Sequence, residues 1–466
     1  MSEQKQIIEA DLLITGAEII TMNPAREVIR DGALAVRGDR IVMVGKREQA
    51  EREVIAKKSR DGSGFVISPG FVDGHIHITA DPLTRGFVRR MPEDSWSDNL
   101  AKWVIPVFKA QTPEDEKLAA QLSAMTMIRY GTTTFLEAGT VIQLDEVMEG
   151  LAESGIRGRV GQWVEGRAWG GSEDQAGKID EAIGLLRSEI EAYPDDGDCL
   201  LAAWPVLVGH STNPDEVWLA AKAMADENGL KVSAHMSPRQ SDPDWFLAQY
   251  NRRPLEHLAD IGALGPNVCI THLAAIDESE LDLLVESGTS CIHCADAAFL
   301  GGMGLARQGL HLEMLERGAT VVLGTDGLAT DILSSARRMA AGYRDARGDQ
   351  NLLPSTTLLE LATVNGARAM GWEDQIGVLA PGYKADFVMH DTRRLEWGPI
   401  FDSVGQLALC APPSGVHHVW IDGRQVLDAG RNLLLDEEKL MADAVQAGQA
   451  LIQRTGLPVR TPWPVV

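Results

Sequence analysis

Hydrophobic and polar positions along this chain fall into three textures. Residues 7–64 carry short apolar runs, such as Leu12-Leu13-Ile14, Ala33-Leu34-Ala35-Val36 and Ile41-Val42-Met43-Val44, separated by Gly and Asn turns. Runs of that length between turn residues predict a small β domain. From residue 65 to 376, apolar runs alternate with longer amphipathic stretches. Strands are predicted at Val66–His77, Thr132–Glu137, Arg157–Val164, Leu200–Val208, Lys231–Met236, Val268–His272, Ser290–His293 and Thr320–Asp326. The stretches between them carry helix punctuation. Thr112-Pro113 with Asp115 opens a helix whose Leu118, Leu122, Met125 and Ile128 share one face, and Gly131 follows it. Asn213-Pro214 opens another that Gly229 closes, and Asp277 with Glu280 makes a capping-box pattern. Eight strand-then-helix units predict a (β/α)₈ barrel of the TIM type, an α/β fold.

After the barrel, β texture returns at Leu379–Met389, Val416–Ile421 and Gln425-Val426-Leu427. The simplest organisation joins residues 1–64 and 377–435 into one small β domain, which the catalytic barrel, 65–376, interrupts. Residues 436–466 then supply a helix, Glu437–Arg454, and a Pro-rich tail, Leu457–Val466, suited to a subunit contact. A homo-oligomer is therefore expected.

Charge and cysteine usage narrow the partners. The net charge of −24 would repel nucleic acid and anionic membrane, so neither is expected. The N-terminal Met1–Gln6 has no apolar core of a signal peptide behind it, and no run approaches a membrane span, so a cytoplasmic protein is expected. Five cysteines are too few and scattered for a disulfide framework. Cys291-Ile292-His293-Cys294 matches CxxC, but positions three apart on a strand face opposite ways, so these read as buried thiols.

The chemistry gathers at the predicted strand ends. Pro69-Gly70-Phe71-Val72-Asp73-Gly74-His75-Ile76-His77 runs a strand into two histidines with period two, which places them on one side. Strand five ends in His235, strand six in His272, strand seven in His293 and strand eight in Thr325-Asp326-Gly327. Five of 11 histidines fall at these ends. Barrel enzymes hold function at that end. Neutral imidazoles and a carboxylate converging from different strands are what a divalent metal requires. His257, His311, His390, His417 and His418 are read as structural or exposed.

These segments, with His235 alone on strand five, Thr271-His272-Leu273, His293-Cys294, Gly324-Thr325-Asp326-Gly327 and Ala380–Val388, resemble the amidohydrolase superfamily over nearly the whole chain. The resemblance is strongest to its chlorohydrolase and deaminase branch, which includes triazine hydrolases and guanine and cytosine deaminases. It implies a distorted barrel with a composite β-sandwich, and His75, His77, His235 and Asp326 around one divalent ion, Zn, Co, Fe or Mn. It also implies His272 near the water or substrate, and His272 and Asp326 are read as the catalytic residues, with Asp326 as proton acceptor. Some relatives bridge two metals through a carboxylated Lys on strand four. Leu200–His210 contains no Lys, so one ion is expected.

One departure bears on the reaction. The branch carries a Glu three residues after the strand-five His, which protonates a ring nitrogen in deaminases. Here that slot holds Pro238, which can neither donate nor accept the proton. General-acid help is worth roughly 10²–10⁴-fold. The Pro and later Asn that often follow the strand-seven His are also absent. Aromatics in the loops, Trp96, Trp163 and Trp169, together with His293, His210 and Glu137, are the candidate substrate-binding residues. The expected activity is therefore metal-dependent hydrolysis of the carbonyl C–N or C–S bond of a small-molecule amide, urea, carbamate or thiocarbamate. An apolar xenobiotic such as a thiocarbamate or phenylurea herbicide is the expected substrate. This expectation resembles the phenylurea and thiocarbamate (molinate-type) hydrolases. The alternatives are an aminohydrolase or chlorohydrolase of a nitrogen heterocycle, and a metal-binding protein without activity.

Overall fold

A computed structural model describes residues 7–87, 99–167, 176–327, 330–459 and 463–464. Parallel barrel strands one to three run Phe71–Ile76, Thr132–Glu137 and Arg157–Val160. Strand four is split into Leu201–Ala203 and Val206–Leu207. Strands five to eight run Val232–Met236, Val268–His272, Ser290–His293 and Val321–Leu323. The break in strand four falls at Trp204-Pro205, where proline has no N–H for a ladder. It divides the barrel into a four-stranded and a five-stranded arc. The arcs close through His75, whose carbonyl accepts the backbone N–H groups of Thr325 (3.0 Å) and Asp326 (2.9 Å). The fold is thus a distorted (β/α)₈ barrel with a second, β-rich unit.

That unit is one nine-stranded sheet drawn from both ends of the chain. Phe65–Pro69 is the seam. It pairs parallel with Ile8–Ile20 and antiparallel with Phe387–Asp391, placing Pro69 opposite Phe387. The run Val66–His77 is therefore two strands in two sheets, with the change at Gly70. A Cβ there would lie 2.0 Å from the Thr133 hydroxyl, so only glycine lets the chain pass this close to strand two. Arg157, buried on strand three, ties the units together. Its guanidinium donates to Asp386 (3.1 Å) and Asp422 (2.9 Å) of the sheet.

Helix caps match their sequence signals. Thr112 and Asp115 form a capping box, as do Asp277 and Glu280, and Gly155, Gly229 and Gly288 close helices in the left-handed conformation. The C-terminal helix Glu437–Thr455 buries Leu440, Ala444 and Leu451 in a cluster with Val107, Ala119 and Leu122. Its Arg129–Glu437 and Asp115–Arg454 ion pairs clamp it to the helix Pro113–Arg129. No described helix is long and apolar enough to cross a membrane. The five cysteines are unpaired, and Cys291 and Cys294 are both buried.

Candidate metal centre and substrate pocket

The ends of strands one, five, six and eight converge. His77 Nε2 lies 3.1 Å from Asp326 Oδ1 and 3.3 Å from His235 Nε2. His75 Nε2 lies 3.7 Å from the same Asp326 oxygen, and His272 Nε2 lies 4.0 Å from the other. Donor atoms of His75, His77 and Asp326 all lie within 4.8 Å of one another, as do those of His75, His235 and His272.

Neighbouring groups set which nitrogen of each ring faces the cluster. His235 Nδ1 is 3.0 Å from the Val208 carbonyl. A carbonyl only accepts, so Nδ1 carries the proton and the Nε2 lone pair points inward. His75 Nδ1 meets the Thr271 hydroxyl at 2.8 Å, again leaving Nε2 inward. That inward nitrogen of His75 is buried and has no hydrogen-bond partner among the described residues. Asp326 sits at φ 60° and His272 at φ 80°, conformations rare outside glycine. Each is held by backbone bonds: Asp326 N–H to the His75 carbonyl, and the His272 carbonyl accepting His311 Nε2–H at 2.8 Å.

The electrostatics suit a cation. Burial holds His75 below its usual pKa and His235 far below it, and pushes His272 down to about 3. Burial would raise Asp326, but the neighbouring His75 and His77 rings outweigh it, and the carboxylate stays well below its ordinary value. Burial also lowers His77, yet Asp326 more than offsets this. The set is therefore mostly neutral imidazoles around an ionised carboxylate, with lone pairs facing one another across about 3 Å. Such a donor set fits a divalent ion, which three imidazoles and a carboxylate would hold at roughly 2.0–2.2 Å with a position left for water.

The cluster forms the floor of a cavity of about 210 Å³. Leu100, Val104, Ile105, Phe108, Trp163 and Met303 supply its apolar walls, and among the described residues Asp81 and Asp326 are the carboxylates that line it. His210 also lines it. Its Nδ1 meets Asp242 at 2.5 Å and its ring stacks on that of His235. A larger cavity of about 750 Å³ shares His77, Asp81, Asn99 and Val104, and carries Arg85, Asp331 and Arg338.

The structure separates the remaining sequence candidates. Trp163 and His210 line the pocket, whereas Trp96 and Trp169 lie outside the described residues. His293 does not line it. Its ring is fully buried against His311 and Tyr343. Glu137 is also buried away from the pocket. Its carboxylate accepts the Gly139 and Thr140 N–H groups and the Thr140 hydroxyl, and so shapes the loop after strand two. Asp296 is taken up by Ser335 and Arg338. The sequence candidates did not include Asp81, four residues beyond His77; His311, read from the sequence as structural or exposed, is buried and fixes the His272 backbone. The signal for Asp81 was available, since a loop directly after a ligand-bearing strand end must border the site.

Comparison with known proteins agrees with this arrangement. A family model described as the Amidohydrolase family matches residues 66–426. A 5-methylthioadenosine/S-adenosylhomocysteine deaminase from Pelotomaculum thermopropionicum is 31% identical over 449 residues, spanning 96% of this chain and 100% of that protein. A 5'-deoxyadenosine deaminase from Methanosarcina acetivorans is 26% identical, spanning 96% and 99%. Among solved structures, a zinc-bound adenosine deaminase from Xanthomonas campestris superposes with a TM-score of 0.86 at 26% identity, spanning 96% of this chain and 100% of that one. A mutant atrazine chlorohydrolase from Arthrobacter aurescens, in complex with zinc and atraton, gives 0.85 at 20% identity, over 94% and 100%, a likeness of fold. These names side with the aminohydrolase alternative rather than with carbonyl hydrolysis, and none of them concerns a thiocarbamate or a phenylurea.

Proposed function

The chain belongs to the amidohydrolase family and is a metal-dependent hydrolase acting on C–N bonds of small molecules; we propose, as a finer reading, that it hydrolyses an exocyclic carbonyl compound with an apolar substituent. An amide, urea, carbamate or thiocarbamate has the required chemistry. The observation that carries this reading is Pro238, buried three residues after His235 where the deaminase acid is expected; among the described residues that line the pocket, the carboxylates are Asp81 and Asp326. Attack on an aromatic ring needs a proton delivered to ring nitrogen, whereas a carbonyl oxygen takes up charge itself.

In this reading His75, His77, His235 and Asp326 hold one divalent ion. When bound, that ion supplies Lewis acidity, lowering the pKa of water and polarising the carbonyl. Water adds to the carbonyl carbon and its proton passes to the free oxygen of Asp326. His272, held neutral by burial, orients the water. Collapse breaks the C–N or C–S bond, and the Asp326 proton goes to the departing amine or thiol. The apolar walls select the substituent.

A second reading, hydrolytic deamination of an adenine nucleoside or another nitrogen heterocycle, is supported by the relatives' names and by the larger cavity. Arg85, Asp331 and Arg338 would give a sugar polar partners, and Asp81 would supply the missing acid. The test is a kcat/KM comparison on the zinc-loaded protein. N-aryl ureas, anilides and S-alkyl thiocarbamates are set against 5'-deoxyadenosine, 5-methylthioadenosine and an aminotriazine. Amine or thiol release at least a hundredfold more efficient than ammonia release supports carbonyl hydrolysis. Efficient deamination without turnover of the carbonyl panel establishes the second reading.

A further inference from the structure

Behind the metal pocket lies a second cavity, of about 180 Å³. Val141, Ile142 and Leu185 line only this chamber, while Ile105, Phe108 and Trp163 line both. Two polar residues also line it: Gln162, whose amide N–H donates to the Ile142 carbonyl at 2.9 Å, and Lys109, an exposed residue. The chamber is mostly apolar and reaches the pocket at one wall, formed by the edge-to-face pair Phe108–Trp163 with ring centroids 6.2 Å apart.

The two sides of Trp163 are held differently. Its backbone N–H donates to the Val141 carbonyl at 2.8 Å, and the next residue, Val164, is buried. Its indole Nε1 is buried with no hydrogen-bond partner among the described residues. Among the described residues packing alone therefore fixes the ring, and turning or shortening it breaks no polar contact with them.

We propose that Trp163 is a partition: it caps the metal pocket and so sets the length of apolar substituent the enzyme accepts, while the chamber behind it is a latent subsite for a longer alkyl or aryl group. This rests on the proposed metal centre forming the pocket floor. Each methylene buried contributes about 0.8 kcal/mol, about fourfold in affinity. Chain length is thus a ruler for the pocket's depth, whichever bond the enzyme cleaves.

The experiment titrates linear alkyl hydroxamates, from acetohydroxamate upward, into the zinc-loaded protein by calorimetry. Each affinity is normalised to acetohydroxamate, which reports the metal centre alone. In the wild type, affinity should climb about fourfold per methylene and then level off where the chain meets Trp163. In Trp163→Ala the plateau should move outward by at least two methylenes, a gain of tenfold or more for the longest chains. Trp163→Phe, which keeps a ring against Phe108, should move it the same way by less. Adding Leu185→Phe to Trp163→Ala should refill the chamber and bring the plateau back. A plateau at one length in the wild type and both Trp163 variants overturns the partition. Failure of acetohydroxamate to bind overturns the metal centre instead, and the subsite with it.

Discussion

At the scale of single residues, the site depends on groups that hold its histidines as much as on the histidines. The His-x-His pair, His235, His272 and Asp326 were legible because barrel strands deliver their last residues to one place. The orienting partners were not. Thr271 lies beside His272 in sequence, yet it serves His75 across the barrel, a contact that needs the strand register to be known. His293 has the same local signal as its neighbours, but its ring is buried against His311 and Tyr343 and does not line the pocket. Thr271→Val keeps shape and removes the hydroxyl from His75 Nδ1. Partners of this kind typically tune metal affinity by about 10–100-fold. Competition against a chelator of known affinity should show a loss in that range, with the far-ultraviolet circular dichroism unchanged. An unaltered affinity would mean that Thr271 does not orient His75.

At the scale of elements, strand number and order could be read from the alternation of apolar runs, but strand ends could not. Arg157–Val164 was expected as one strand, and the ladder stops at Val160. Beyond it the chain turns so that Trp163 bonds Val141 instead. Val66–His77 likewise reads as a continuous run, and nothing local marks its division between two sheets except Gly70. Gly70→Ala places a methyl against the Thr133 hydroxyl and backbone-anchored side chain. Overpacking of this kind costs roughly 1–3 kcal/mol. Urea denaturation should show that loss as a lower midpoint with an unchanged slope. A midpoint within error of wild type would show that strand two yields at no cost.

At the scale of the whole molecule, the two ends of the chain meet in one sheet, and buried polar groups lie along that junction. One is His390, fully buried, its Nε2 3.0 Å from the Ser68 hydroxyl. Burial pushes its pKa down to about 3, from an ordinary value near 6.5. Between those values the unfolded chain binds a proton that the folded chain refuses, so stability falls as pH falls from about 6.5 toward 3. From pH 7 to pH 5 this one group should remove about 2 kcal/mol. His390→Leu should flatten the pH dependence by that amount in denaturation measured at the two values. Equal slopes in both proteins would contradict the assignment of a neutral, buried His390. The long-range seam could be guessed from the return of β texture after the barrel, but the pairing of Pro69 with Phe387 could not.

The central claim is that one divalent ion is held where four barrel strands converge. Anomalous diffraction at the zinc edge, on crystals of the zinc-loaded protein, tests it most directly. The account predicts a single strong peak per chain, at about 2.0–2.2 Å from Nε2 of His75, His77 and His235 and from one oxygen of Asp326, with His272 outside that shell. No peak at this position, or two peaks of comparable height sharing Asp326, would contradict it.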